Sequence, residues 1–130
     1  MKICVSAVSS SLDAQVDLRF GRCPYLVIVD DETMQFEAVP NMASGAMGGA
    51  GIQAAQTIAG KGVKVLVTGS IGPNAFQALS ATGIKIMTGA FGTVREVVEK
   101  YKRGEMKETG APTVGGHFGI GTGRGRGRRW

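Results

Sequence analysis

The second half of the chain constrains the fold most, because two apolar periods alternate there between glycine stops. Ile52, Ala55, Ile58 and Ala59 recur at helical spacing and end at Gly60 and Gly62. Val63 to Thr68 then reads as a strand. Gly72-Pro73-Asn74 opens a second helix, with Pro in its first turn where a missing N–H costs nothing, and Phe76 and Leu79 give its buried face before Gly83. Ile84 to Met87 is a short strand. Thr93-Val-Arg-Glu96 has the pattern of a capping box ahead of the stripe Val94, Val97, Val98 and Tyr101, which stops at Gly104. Strands alternating with helices in this way require a parallel sheet joined by right-handed crossovers.

The first half supplies the remaining strands. Lys2 to Val8 has no strongly polar side, as expected where a sheet is covered on both faces. Tyr25 to Asp30 and Met34 to Val39 flank the turn at Asp30-Asp31-Glu32 and should pair as a hairpin, which adds one antiparallel strand. The order β-β-β-α-β-α-β-α defines an α/β fold: a mixed five-stranded sheet with helices on both faces. Residues 9–24 read as a long irregular connection, of the kind that is functional or mobile. From Gly110 the chain becomes low in complexity, with seven glycines in its last twenty residues. Such a segment buries too little surface to offset its ordering entropy. The expected division is a folded domain over 1–109 and a disordered Gly/Arg-rich tail over 110–130.

A chain of 130 residues suits one domain with one core. No apolar run approaches the roughly 18 residues of a membrane span, and the start lacks the pattern of a signal peptide. A cytoplasmic location with no membrane partner is expected, and Cys4 and Cys23 are then free thiols. The formal charge of +5 is local: residues 1–110 hold 11 Lys+Arg against 10 Asp+Glu, while Arg124, Arg126, Arg128 and Arg129 stand in a tail without acids.

Between Glu37 and Glu96 there is no Asp or Glu. That stretch contains the junctions where an α/β enzyme usually places catalytic groups, so a carboxylate pair drawn from them is excluded. His117, the single histidine, lies in the tail, which excludes a Ser-His-Asp arrangement on the core. A non-enzymatic role is expected. What the junctions hold instead is glycine: Gly48-Gly49-Ala50-Gly51, Gly69-Ser70-Ile71-Gly72 with Asn74 beyond it, and Gly89-Ala90-Phe91-Gly92-Thr93. Helix starts carry unpaired N–H groups and about half a positive charge, and glycine lets a bulky anion approach them. Each loop alone reads equally well as a tight turn; three around one sheet edge favour a site. A nucleotide fits poorly, because Gly49-x-Gly51-x-x-Ala54 lacks the acid about 20 residues on that would hold a ribose. In Arg19-Phe20-Gly21-Arg22-Cys23-Pro24 the two guanidiniums should favour a Cys23 thiolate, a ligand for a soft metal. Cys4 reads as core, and Met42 and Met47 as gap-fillers. The tail Gly123–Trp130 is similar to arginine–glycine segments that bind nucleic acid, which makes an interaction module the alternative function.

Four spaced blocks resemble the dinitrogenase iron–molybdenum cofactor biosynthesis family, in its NifX/NifB C-terminal type of domain: Asp17–Tyr25, Gly51–Gln56, Thr68–Phe76 and Gly92–Val97. The resemblance covers about residues 1–108. It implies a ribonuclease-H-like three-layer fold without nuclease carboxylates, and a protein that carries, stores or hands on an iron–sulfur or molybdenum–iron–sulfur type cluster. Cluster donor or acceptor proteins are the implied partners. On this reading Arg19, Phe20, Arg22, Gly48, Gly49, Gly51, Gly69, Ser70, Gly72 and Asn74 surround the cluster, and Cys23 and His117 are the possible metal ligands. The Gly-rich tail departs from the shared domain, and the loop at 41–51 lacks the histidine often found there.

Overall fold

A computed structural model describes residues 1–41 and 49–113. Eight elements follow in order: β1 (Lys2–Ala7), β2 (Tyr25–Asp30), β3 (Phe36–Pro40), α1 (Ala50–Gly60), β4 (Val63–Val67), α2 (Pro73–Ala81), β5 (Lys85–Met87) and α3 (Val94–Lys102). The five strands form one sheet in the order β3-β2-β1-β4-β5. β2 pairs antiparallel with both neighbours, Val5 opposite Val27 and Val27 opposite Ala38, whereas β1-β4 and β4-β5 are parallel. β2 is thus the one reversed strand, as the hairpin requires. The other four point the same way, so the loops that follow β1, β3, β4 and β5 all leave at one edge.

Strand periodicity divides the core. Ile3, Val5, Val27, Val29, Val65 and Val67 face α3 through Val94, Val97 and Val98. Cys4, Leu26, Ile28, Leu66 and Ile86 face α1 and α2 through Ala54, Ile58, Ala75 and Leu79. Each large side chain buried in this way stabilises the fold by about 1.5–3 kcal/mol. Both faces are covered, so β1 is apolar inside except for Ser6, whose buried hydroxyl is hydrogen-bonded.

The connection at 9–24 is more ordered than expected. Leu12, Ala14 and Val16 are buried against the α3 side, an alternation too short to stand out in the sequence. Short bridges join Ala7 to Val16, Gln15 to Thr93 and Arg19 to Ser70, and Val16 N–H donates to Gly92 O at 2.8 Å. The hairpin connection is longer than expected. Met34 takes a left-handed φ of 60° and donates its N–H to Asp30 O, so β3 begins at Phe36 rather than Met34. β1 ends at Ala7, one residue early. Past α3 the chain returns along β5: Glu108 bridges Met87, and Thr113 N–H donates to Ile71 O at 3.0 Å.

Candidate anion-binding cleft

α1 and α2 start at the same sheet edge and on the same face. The cap of α1 is Gly49, in the left-handed region at φ 70°, and that of α2 is Gly72, extended; no side chain caps either helix. Among the described residues, a Cβ at Gly49 or Gly72 would meet nothing within 4 Å. Among the described residues, both starts therefore present backbone to an open space, with the positive end of the helix dipole behind it.

Small residues bring the two starts together. A Cβ on Gly51 would lie 2.9 Å from Ala75 Cβ, so only glycine lets the first turns of α1 and α2 touch. Gly21, at φ 97°, sits equally close to Gly51: a Cβ there would fall 2.9 Å from its Cα. The 17–23 loop is thereby seated on the first turn of α1, and Phe20 becomes a wall of the space between the helices. The result is a cleft of about 170 Å³ lined by Phe20, Gly49, Gly51 and Ile52 on one side and by Gly72, Pro73, Asn74 and Ala75 on the other.

The same loop carries the charge. Arg19 bridges Ser70, whose Oγ donates to Leu18 O at 2.7 Å, and Phe20 N–H donates to Ser70 O. Asp17 accepts the Arg19 N–H at 2.9 Å, and its Oδ1 lies 3.6 Å from Arg19 Nε. Arg22 is exposed.

Of the residues singled out in the sequence, Phe20, Gly49, Gly51, Gly72 and Asn74 meet in this cleft, with Arg19 and Ser70 beside it. Gly48 and His117 lie outside the described residues. Gly69 has a different part from the one expected: a Cβ there would lie 2.6 Å from Leu18 Cα, so it permits a close backbone approach rather than cradling a ligand. The third glycine loop does not join the others. α3 lies on the opposite face, and its start is closed by its own capping box, Glu96 N–H donating to Thr93 Oγ1 at 3.1 Å and Thr93 N–H to Glu96 Oε1 at 2.8 Å.

Cys23 also departs from expectation. Its side chain is buried rather than offered to the arginines, and burial pushes the thiol up to about 11, with Asp17 acting in the same direction. Hydrogen bonds from the main chain and from Asn41 only partly oppose this. Cys23 lies in the apolar layer shared with Phe20 and Cys4. Among the described residues, no three His, Cys, Asp or Glu side chains gather as a metal site.

Sequence reasoning missed Gly21 and Asp17, although both stand in the Asp17–Tyr25 block. It also missed Ile52, read only as part of the α1 stripe, and Ala75, which follows Asn74 in the first turn of α2. A larger cleft, about 360 Å³, opens on the other side between Thr88–Phe91 and 105–109. It is less suited to an anion. The Gly89 and Ala90 amides are already donated to Gly69 O and Thr68 O, and the charges lining it balance, Lys100 and Lys107 against Glu105 and Glu108.

Fold and cleft together define a class: a mixed α/β domain whose sheet edge offers amides and a guanidinium, and whose described residues assemble no metal-ligand set. The chain belongs to the dinitrogenase iron–molybdenum cofactor family, whose model matches residues 1–104. It is similar to the apo form of the orange protein from Desulfovibrio gigas, with 44% identity and a TM-score of 0.84 over 87% of this chain and 96% of that one. A Thermotoga protein provisionally described as NifB is 33% identical, with a TM-score of 0.72 over 82% of this chain and 91% of that one. An uncharacterized protein of Methanocaldococcus jannaschii is 28% identical over 92 residues, 68% of this chain and 78% of that protein. No helix among the described residues is long and apolar enough to cross a membrane.

Proposed function

We propose that this protein receives an anionic metal–sulfur cluster in the cleft between the starts of α1 and α2, as a carrier or store rather than a catalyst. The observation that carries the reading is the convergence of two uncapped, glycine-led helix starts on one cleft beside Arg19. Uncapped amides at a helix start favour negative charge without protonatable ligands. An inorganic anion with sulfur on its outside needs such donors and an apolar wall, and Ile52 and the Phe20 ring supply the wall. Iron–sulfur and molybdenum–iron–sulfur clusters both fit this description, and membership of a family named for an iron–molybdenum cofactor supports it. The strand order 3-2-1-4-5 with the second strand reversed is the order we read as ribonuclease-H-like.

In this scheme the cluster is cargo. Its charge is balanced by amide dipoles and by Arg19 and Arg22, and Phe20 screens one side from water. Direct ligation would fall to Cys23, whose buried thiol would have to lose its proton to a metal on binding, or to His117, outside the described residues. Purification from the source organism without oxygen, followed by metal and sulfide analysis and a visible spectrum, tests the reading. Metal and inorganic sulfide bound in comparable amounts are expected. A colourless protein free of both, from cells supplied with iron and molybdenum, contradicts it. The Cys23→Ala variant prepared in the same way decides ligation: unchanged metal content removes Cys23 from the site.

A further inference from the structure

Asp17 is at odds with the site it adjoins. It is 7% exposed, the one charged residue among the buried polar side chains described. Its main chain is clamped to β1, its N–H donating to Ser6 O at 2.8 Å and its O accepting Ser6 Oγ at 2.7 Å. Its carboxylate accepts the Arg19 N–H and faces Arg19 Nε. Holding the Arg19 backbone needs only a neutral acceptor, which Asn or Ser would provide. Burying a carboxylate carries a desolvation penalty that such a residue avoids. The negative charge also opposes an anionic guest and offsets the nearest guanidinium.

We propose that Asp17 is a positioning residue that sets the affinity of the cleft: it fixes Arg19 at the rim and cancels much of its charge, so that an anion is held loosely enough to be passed on. This rests on the reading of the cleft as an anion site. Arg19 is the switchable partner, with its side chain 67% exposed and therefore open to salt and to a guest. An arriving dianion competes with Asp17 for one guanidinium, and the guanidinium returns to Asp17 when the anion leaves.

The test uses tetrathiomolybdate as the probe, titrated into the full chain and followed by its visible absorption, at low and high salt. Asp17→Asn keeps the acceptor for the Arg19 N–H and removes the charge; it should bind the probe about tenfold more tightly at low salt, with the gain shrinking as salt rises. Asp17→Ala, which loses the acceptor as well, should gain less. Arg19→Gln should weaken binding about tenfold or more. A folded Asp17→Asn protein that binds no more tightly than the unaltered chain overturns the proposal, as does an Arg19→Gln protein that binds equally well. If the unaltered chain binds no probe at all, the reading of the cleft itself fails; if it binds and Asp17→Asn changes nothing, only the role of Asp17 falls.

Discussion

Cys4 and Cys23 lie fully buried in the layer beneath α1 and α2, and burial is the main reason both thiols are pushed up, Cys23 to about 11. Two arginines adjacent in sequence suggested the opposite, because sequence neighbours need not be neighbours in space. Arg22 points outward while Cys23 points in. The fold therefore keeps both protons at a pH where the unfolded chain releases them, near 8.5. Stability from this source is complete below that pH and falls as pH climbs towards the folded values, by about 1.4 kcal/mol per pH unit for each thiol. Urea denaturation between pH 7 and 10.5 checks this. Cys4→Ala and Cys23→Ala should each be less stable at neutral pH, yet lose stability less steeply above pH 9. An unchanged slope in both variants contradicts the assignment.

Among the elements, the three helix starts have separate jobs. Those of α1 and α2 are open and held in contact by Gly51 against Ala75, with Gly21 wedged behind. The start of α3 is closed by Thr93 and Glu96. The capping box was legible from Thr93-x-x-Glu96, yet the glycines before it read like those of the other two loops; in the fold a side chain that satisfies the amides leaves them nothing to bind. The two kinds of start should respond differently to substitution. Thr93→Ala should destabilise by about 1 kcal/mol and leave tetrathiomolybdate binding unchanged. Gly51→Val forces α1 away from Ala75, should destabilise by about 1–3 kcal/mol through overpacking, and should abolish binding. Denaturant melts and probe titrations on both variants check this. Equal effects on binding would mean that the α1–α2 contact does not shape the site.

At the scale of the molecule, most of the architecture was legible because it rests on periodicity. The alternation from Ile52 to Tyr101 fixed the parallel crossovers, and the hairpin turn at Asp30–Glu32 fixed the reversed strand. Side of the sheet was harder to read. Whether a helix packs above or below depends on which strand it must reach and on what else covers each face, and the glycine loops look alike in sequence whichever face they serve. The seating of the 17–23 loop was hidden for a related reason. It depends on Gly21 meeting Gly51 and on Gly69 meeting Leu18, contacts between residues far apart along the chain. The charge balance at the edge is local by contrast: Asp17 pairs with Arg19 two residues on, while β1 clamps residue 17 through Ser6.

At 13.5 kDa the protein is small enough for residue-by-residue observation of its amides in solution. Backbone amide NMR spectra recorded while tetrathiomolybdate is added test the central claim most directly. The account predicts shifts concentrated at Arg19–Phe20, Gly49–Ile52 and Asn74–Ala75, with Thr93–Glu96 unmoved. Shifts centred instead on Thr93–Glu96 or on the Thr88–Phe91 cleft, with the α1 and α2 starts silent, would contradict it.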